Sequence, residues 1–131
     1  MLFRSKAQTL SSLTAADANQ ALNRAGSGPL DVSLKVTLEK HDELAIRYQG
    51  NTIAKISFAE LKNGRGSLEI LIDKAVAEIF VDGGARYIVR EIPTNTGGQG
   101  LEFGLGRNTS AISRLEIWQM KSIWDIRGRT P

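Results

Sequence analysis

The chain has 131 residues, of which 41% are hydrophobic and 24% are charged, and its formal net charge is +3. This length suits one domain with a single core, and the composition excludes global disorder. Without cysteine, the chain can form neither disulfides nor a thiol active site. The basic residues are scattered rather than arranged in a stripe, so we expect no nucleic-acid partner and read the charge as a contribution to solubility.

Residues 1–28 are predicted to form an N-terminal segment that holds a short helix and a linker, or that is extended. Thr14 suits a helix N-cap and Gly26 a C-terminal stop, which places the helix over 15–25. Its apolar residues are alanines apart from Leu22, so the helix needs a surface to lie on. The segment lacks the apolar run of a secretory signal, and no stretch of the sequence could span a bilayer. We therefore expect no membrane partner and a cytoplasmic location, unless the chain is a fragment of a secreted enzyme.

Over 29–125 the hydrophobic pattern changes to period two, which is typical of half-buried strands, and 126–131 is read as a C-terminal tail. Gly50-Asn51 suits a two-residue hairpin loop, because both residues tolerate positive φ. The run over 68–73 is apolar on both faces, as expected of a central strand. Several short strands without a convincing second helix predict an all-β fold, a lectin-like two-sheet antiparallel β-sandwich.

The segment 68–93 is the most distinctive, because two apolar runs meet at Asp82-Gly83-Gly84 and carry the acidic pair Asp73 and Glu78. On an uninterrupted strand these two carboxylates would face opposite sides of a sheet. A tight connection at 74–76 would instead bring both to one edge. Phe80, in the second run, is expected to fill the core between the sheets.

The hairpin register after Glu78 has two alternatives. A two-residue loop at Gly83-Gly84 sets Arg90 opposite Ala77, on the face away from Glu78. A three-residue loop over 82–84 moves Arg90 to the face of Glu78. Only the second register allows a Glu78–Arg90 pair.

The same segment resembles a signature of the fructan-active glycoside hydrolases of family 32, the invertase, levanase and inulinase group. The pattern I-x-V-D-x-S-x-x-E-x-F-x-N-x-G, followed by R-x-x-P, maps onto this segment, and 115–124 is similar to the closing strand of that family. The family's serines after the Asp are replaced by Ala75 and Val76, and the next position is Ala77. The matching residues are Ile70, Asp73, Glu78, Phe80, Asp82, Gly84, Arg90 and Pro93.

The resemblance implies the C-terminal β-sandwich domain of such enzymes, which lies outside their catalytic propeller. The propeller motifs W-M-N-D-P-N, R-D-P and E-C do not occur in this sequence. Asp73 and Glu78 could in principle act as a general acid and base, but nothing else in the chain indicates an active-site cleft. We therefore predict a non-catalytic, accessory domain with no catalytic residue and no cofactor. His41 is the only histidine and lacks partners at metal-ligand spacing, so no metal site is expected.

Two functions remain open from the sequence. The first is binding of a fructose-containing glycan, or packing against a catalytic propeller domain. The second is a protein–protein interaction or oligomerisation module that has lost glycan binding, which would include a homo-oligomer. Sugar recognition uses hydrogen-bonding side chains beside an aromatic face. The predicted ligand-binding residues are Asp73, Glu78, Arg90, Tyr87 and Trp118, with Arg47 and Tyr48 as further candidates.

Overall fold

The computed structural model describes residues 2–26, 29–73, 75–92, 100–106 and 109–122. Pro93 and Trp124 of the predicted signature, and the tail at 126–131, lie outside the described residues. A 3₁₀ turn (Phe58–Glu60) follows the fourth strand. The other elements are β1 (Leu2–Leu13), α1 (Ala15–Ala25), β2 (Leu30–Thr37), β3 (Glu43–Tyr48), β4 (Asn51–Ser57), β5 (Arg65–Asp73), β6 (Val76–Val81), β7 (Arg86–Glu91), β8 (Leu101–Leu105) and β9 (Ala111–Ser122).

Two antiparallel sheets pack face to face. The larger has six strands in the order β1-β9-β2-β5-β6-β7, and the smaller has three in the order β4-β3-β8. β5 lies inside the larger sheet, as expected of a central strand, with Leu68, Ile70 and Ile72 buried and Leu71 half-buried on the opposite face. The predicted two-sheet antiparallel β-sandwich is confirmed. The core between the sheets contains Val32, Leu34, Leu44, Ile46, Ile56, Ile70, Ile79, Phe103, Leu115 and Ile117.

The faces of β6 correct one prediction. Ala77, Ile79 and Val81 are buried against the smaller sheet, and because side chains alternate along a strand, Phe80 points the other way. Phe80 stacks on Tyr87, with ring centroids 4.8 Å apart and planes at 30°. The prediction that Phe80 fills the inter-sheet core was wrong, since three aliphatic residues already occupy the inward positions.

The helix forms as predicted. Thr14 accepts a hydrogen bond from the Asp17 N–H, the Asp17 carboxylate accepts one from the Thr14 N–H, and Gly26 ends the helix at φ 87°. The helix packs against β8 and β9 and buries Leu22. No helix in the described part of the chain has the length and apolar character to cross a membrane.

One helix side chain extends the smaller sheet. Asn19 donates from Nδ2 to the Phe103 carbonyl (2.9 Å) and accepts from the Phe103 N–H (2.7 Å). Since β8 is an edge strand, the amide occupies the position of a further strand and satisfies backbone groups that the edge would expose. The surface that the weak helix requires is therefore an otherwise open sheet edge.

The N-terminal residues join the sandwich itself, because β1 pairs with β9 along its length, from Leu2 opposite Ser122 to Leu13 opposite Ile112. A domain boundary at residue 28 remains a prediction. The β3–β4 hairpin has the predicted two-residue loop, but the loop consists of Gln49 and Gly50, at φ 51° and 82°, and Asn51 begins β4. The predicted loop position was thus one residue too late.

Candidate functional site

The side of the larger sheet that faces away from the smaller sheet, here called the outer face, carries most of the predicted site residues. The strand register aligns its side chains in two neighbouring rows that run across β9, β2, β5, β6 and β7. The first row is Trp118, Asp31, Leu71, Glu78 and Val89. The second row is Glu116, Ser33, Glu69, Phe80 and Tyr87.

The chain reversal between β5 and β6 brings the acidic pair to one face. Asp73 and Val76 are cross-strand partners, and Glu78 lies opposite Leu71. Because β5 buries its even-numbered residues from 68 to 72, Asp73 points outward, on the same face as Glu78. The two carboxylates therefore share the outer face, as a tight connection between the strands predicts, although Val76 already belongs to β6.

The structure adopts the first of the two hairpin registers. Phe80 lies opposite Tyr87 and Ala77 lies opposite Arg90, while Gly83 and Gly84 take positive φ values of 72° and 115°. Arg90 therefore shares the register position of a core-facing residue, and its guanidinium donates to the Val89 carbonyl at 3.0 Å. The structure does not bring Arg90 together with Glu78.

The side chain that pairs with Glu78 is Tyr87, whereas the other register would allow Arg90 to pair with it. Its hydroxyl donates to the Glu78 carboxylate at 3.0 Å, while its ring stacks on Phe80. The hydrogen bond to Glu78 raises the pKa of the Tyr87 hydroxyl, and loss of hydration and the negative charge of Glu78 act in the same direction. Tyr87 therefore stays a neutral donor. We call Glu78, Phe80 and Tyr87 the Tyr87 cluster.

A groove of 490 Å³ lies on the outer face beside the Tyr87 cluster. This volume falls within the range of small-molecule sites. Arg114 forms an ion pair with Glu116 at 3.3 Å within it. The residues that line the groove were not predicted as a site from the sequence, because single polar residues at alternate strand positions usually form no more than a solvated face. The polar and aromatic residues that line the groove are Ser33, Lys35, Ser67, Glu69, Phe80, Arg114 and Glu116.

Trp118 belongs to the outer face but not to the Tyr87 cluster. Two strands, β2 and β5, separate it from Glu78 along the first row, which corresponds to about 14 Å at the usual strand spacing. It is half-buried and has Asp31, a buried carboxylate, as its neighbour on β2. Trp118 therefore marks the opposite end of the row.

The two further candidates lie elsewhere. Tyr48 is buried in the core, and this burial raises its pKa. Arg47 lies on the far side of the smaller sheet, where it lines a separate cleft of 410 Å³ and its guanidinium covers Gly104. Neither can cooperate with Glu78.

No protein-family model matches the chain, and no curated protein matches it. Among solved structures, the chain is similar to sucrose-6-phosphate hydrolase from Lactobacillus gasseri, with 15% identity and a TM-score of 0.59, covering 92% of this chain and 29% of the enzyme. It is also similar to fructofuranosidase from Schwanniomyces occidentalis complexed with fructose, with 9% identity and a TM-score of 0.55, covering 92% of this chain and 34% of the enzyme. A third match is galectin LEC-6 from Caenorhabditis elegans, with 10% identity and a TM-score of 0.48, covering 88% of this chain and 94% of that protein.

The chain thus spans about a third of the length of the two enzymes. At these identities the likeness concerns the fold. The predicted resemblance to a β-sandwich domain of fructan-active glycoside hydrolases is confirmed at that level.

Proposed function

We propose that the chain is a non-catalytic β-sandwich module that binds a fructose-containing glycan on its outer face. The observation that carries the proposal is the convergence, on one face, of the Tyr87 cluster and the adjoining polar groove. Carboxylates, cations and hydroxyls next to aromatic rings are the groups that recognise sugars. The names of the two similar enzymes, which refer to sucrose 6-phosphate and to fructose, support the ligand class.

The outer face offers each type of contact that a sugar needs. Glu78 and Glu69 can accept hydrogen bonds from sugar hydroxyls, and Lys35 and Arg114 can donate to ring and glycosidic oxygens. Tyr87 is 53% exposed, so part of its ring is open to the apolar face of a sugar. Since Trp118 lies three strands from Glu78, an oligosaccharide, and not a single fructose, is required to contact both ends of the row.

Weak binding is expected, with a dissociation constant in the micromolar to millimolar range. An open site on a sheet buries little of the ligand, and each sugar hydroxyl must exchange its bound water for a protein group. Isothermal titration with inulin- and levan-type oligosaccharides of increasing length tests the proposal. Affinity should rise with length until the ligand spans the row.

Glu78→Gln should weaken glycan binding severalfold and lower the melting temperature by no more than a few degrees. The amide keeps an oxygen that accepts from the Tyr87 hydroxyl, but it removes the charge that strengthens hydrogen bonds to sugar hydroxyls. Glu43→Gln is the matched control, because Glu43 is an exposed carboxylate on the smaller sheet. Unchanged affinity in Glu78→Gln, or equal weakening in both variants, would place the ligand elsewhere.

The purified protein should release no reducing sugar from sucrose, inulin or levan. Asp73 is exposed at the end of β5, and the sequence lacks the propeller motifs that carry catalysis in the resembled hydrolases, so the acidic pair is not expected to hydrolyse a glycosidic bond. A reducing-sugar assay over several hours measures this. Hydrolysis that survives purification and disappears in Asp73→Asn would contradict it.

An interaction module is the second candidate function. Tyr87 and Val89, with exposed fractions of 53% and 45%, are the large hydrophobic side chains that the described surface leaves most open to solvent. Both lie on β7, at the edge of the larger sheet. A chain that binds no glycan but self-associates in a concentration-dependent way would favour this function.

A further inference from the structure

The edge strands of the two sheets differ in which groups cover their outward backbone atoms. The β8 edge is closed by Asn19 of α1, as described above. At the β4 edge, Arg86 donates to the Lys55 carbonyl at 3.5 Å and pairs with Glu60, the last residue of the 3₁₀ turn. Within the described residues, β7 pairs with β6 on one side, and its other side is open.

The open edge of β7 combines hydrogen-bonding capacity with apolar surface. The Ile92 N–H donates to the Ala75 carbonyl at 2.8 Å, so the even-numbered positions of β7 direct their backbone groups towards β6. By the same alternation, Tyr87, Val89 and Glu91 direct their N–H and C=O groups towards the open edge. These residues include Tyr87 and Val89, the exposed large hydrophobic side chains of the described surface. An edge of this kind is a template for pairing with another strand.

We propose that β7 pairs antiparallel with β7 of a second copy of this chain, around a twofold axis at Val89. The two six-stranded sheets would then continue into one another. The pairing would set Val89 against Val89 of the second copy and Tyr87 against Glu91 of the second copy. Because the axis is twofold, the contact between Tyr87 and Glu91 of the second copy occurs twice.

The charges on β7 favour the register centred on Val89 over the neighbouring symmetric register. In the neighbouring symmetric register, centred on Ile88, Arg86 would oppose Arg90 of the second copy, and like charges directly opposite are unfavourable. The Val89 register avoids this contact and sets the ring of Tyr87, whose hydroxyl already donates to Glu78, against Glu91 of the second copy. Of these two symmetric registers, the one centred on Val89 is therefore favoured.

The expected dimer is weak. One pair of six-residue strands buries less surface than a standard stable interface, so a dissociation constant of roughly 1 µM to 1 mM is expected. The pairing goes beyond glycan binding and does not depend on it, because it is held by the backbone edge of β7; Tyr87 is the side chain that both surfaces share.

Oxidative cross-linking of a single introduced cysteine tests the geometry, since the natural chain has none. Across the axis, the two copies of residue 89 would lie with Cα atoms about 5.5 Å apart, within the range of a disulfide. Val89→Cys should therefore give a covalent dimer under mild oxidation. Thr52→Cys, an exposed position on β4, is the control and should stay monomeric. Cross-linking of both variants at the same rate, or of neither, would overturn the proposal.

Sedimentation equilibrium of charge variants tests the register separately. Tyr87→Glu sets a carboxylate against Glu91 of the second copy and should weaken the dimer about tenfold, since the axis counts the repulsion twice. Adding Glu91→Lys converts the repulsion into an attraction and should restore dimerisation. Melting curves confirm that each variant is folded. A natural chain that stays monomeric up to about 1 mM, or a double variant that is no tighter than Tyr87→Glu, would overturn the proposal.

Discussion

Phe103→Ala should lower the free energy of unfolding by about 3–5 kcal/mol. The Phe103 side chain is 1% exposed and lies on β8, between the helix and the partner residue Ile46 on β3. Its removal leaves a cavity where the sheet, the helix and the core meet. Because Asn19 fixes the Phe103 backbone at both its N–H and its carbonyl, the strand has little freedom to move into the space.

Phe80→Ala is the matched control, since it deletes the same ring from the outer face. Phe80→Ala should lower the free energy of unfolding by about 1 kcal/mol, mostly because the stacking with Tyr87 is lost. Urea unfolding of the two variants gives both values. Equal losses would mean that the ring of Phe80 is as much a part of the core as that of Phe103.

The difference between these two phenylalanines shows what period two alone can predict. β6 reads Ile79, Phe80, Val81, so three consecutive apolar residues leave the inward phase of the strand ambiguous. The phase is decided by the pairing with Ile70 of β5 and Ile88 of β7, which sets Ile79 between two buried residues. The existence of the strand could be predicted from local sequence, but its inward face depends on its neighbours.

Long-range partners limited the prediction at the N-terminus in the same way. The helix after Thr14 follows from local capping chemistry and was predicted at both ends. The strand β1 has a largely polar sequence and forms through pairing with β9, about a hundred residues or more away in the chain. Asn19 likewise owes its role to Phe103, which no local pattern connects with the helix.

The candidate site was predictable where it depended on local turns. The shared face of Asp73 and Glu78 follows from a tight connection between two adjacent strands. The distance from Trp118 to Glu78 could not be predicted, because it depends on the order β9-β2-β5-β6. The position of Arg90 depended on a single residue in the length of the hairpin loop.

The other large effect is expected at Asp42, which ends the loop between β2 and β3 and is 6% exposed. Its Oδ1 accepts from the Gly106 N–H at 3.0 Å, and its Oδ2 accepts from the Ser110 hydroxyl at 2.6 Å. The Ser110 oxygen in turn accepts from the Glu39 N–H at 2.8 Å. One carboxylate thus joins the β2–β3 loop to the chain between β8 and β9.

Asp42→Ala should lower the free energy of unfolding by about 2–4 kcal/mol, because two donors lose a charged acceptor in a place that water reaches poorly. Asp42→Asn should lose less, about 1 kcal/mol, since the amide oxygen can still accept from Gly106 and the amide nitrogen can donate to the Ser110 oxygen. Asp73→Ala, at an exposed strand end, is the control and should change stability by less than about 0.5 kcal/mol.

In a double-mutant cycle, Asp42→Ala combined with Ser110→Ala should lower the free energy of unfolding by clearly less than the sum of the two single losses, because the two side chains satisfy each other. Additive losses would show that Asp42 acts through Gly106 alone, and that the loop connection rests on one hydrogen bond instead of a network.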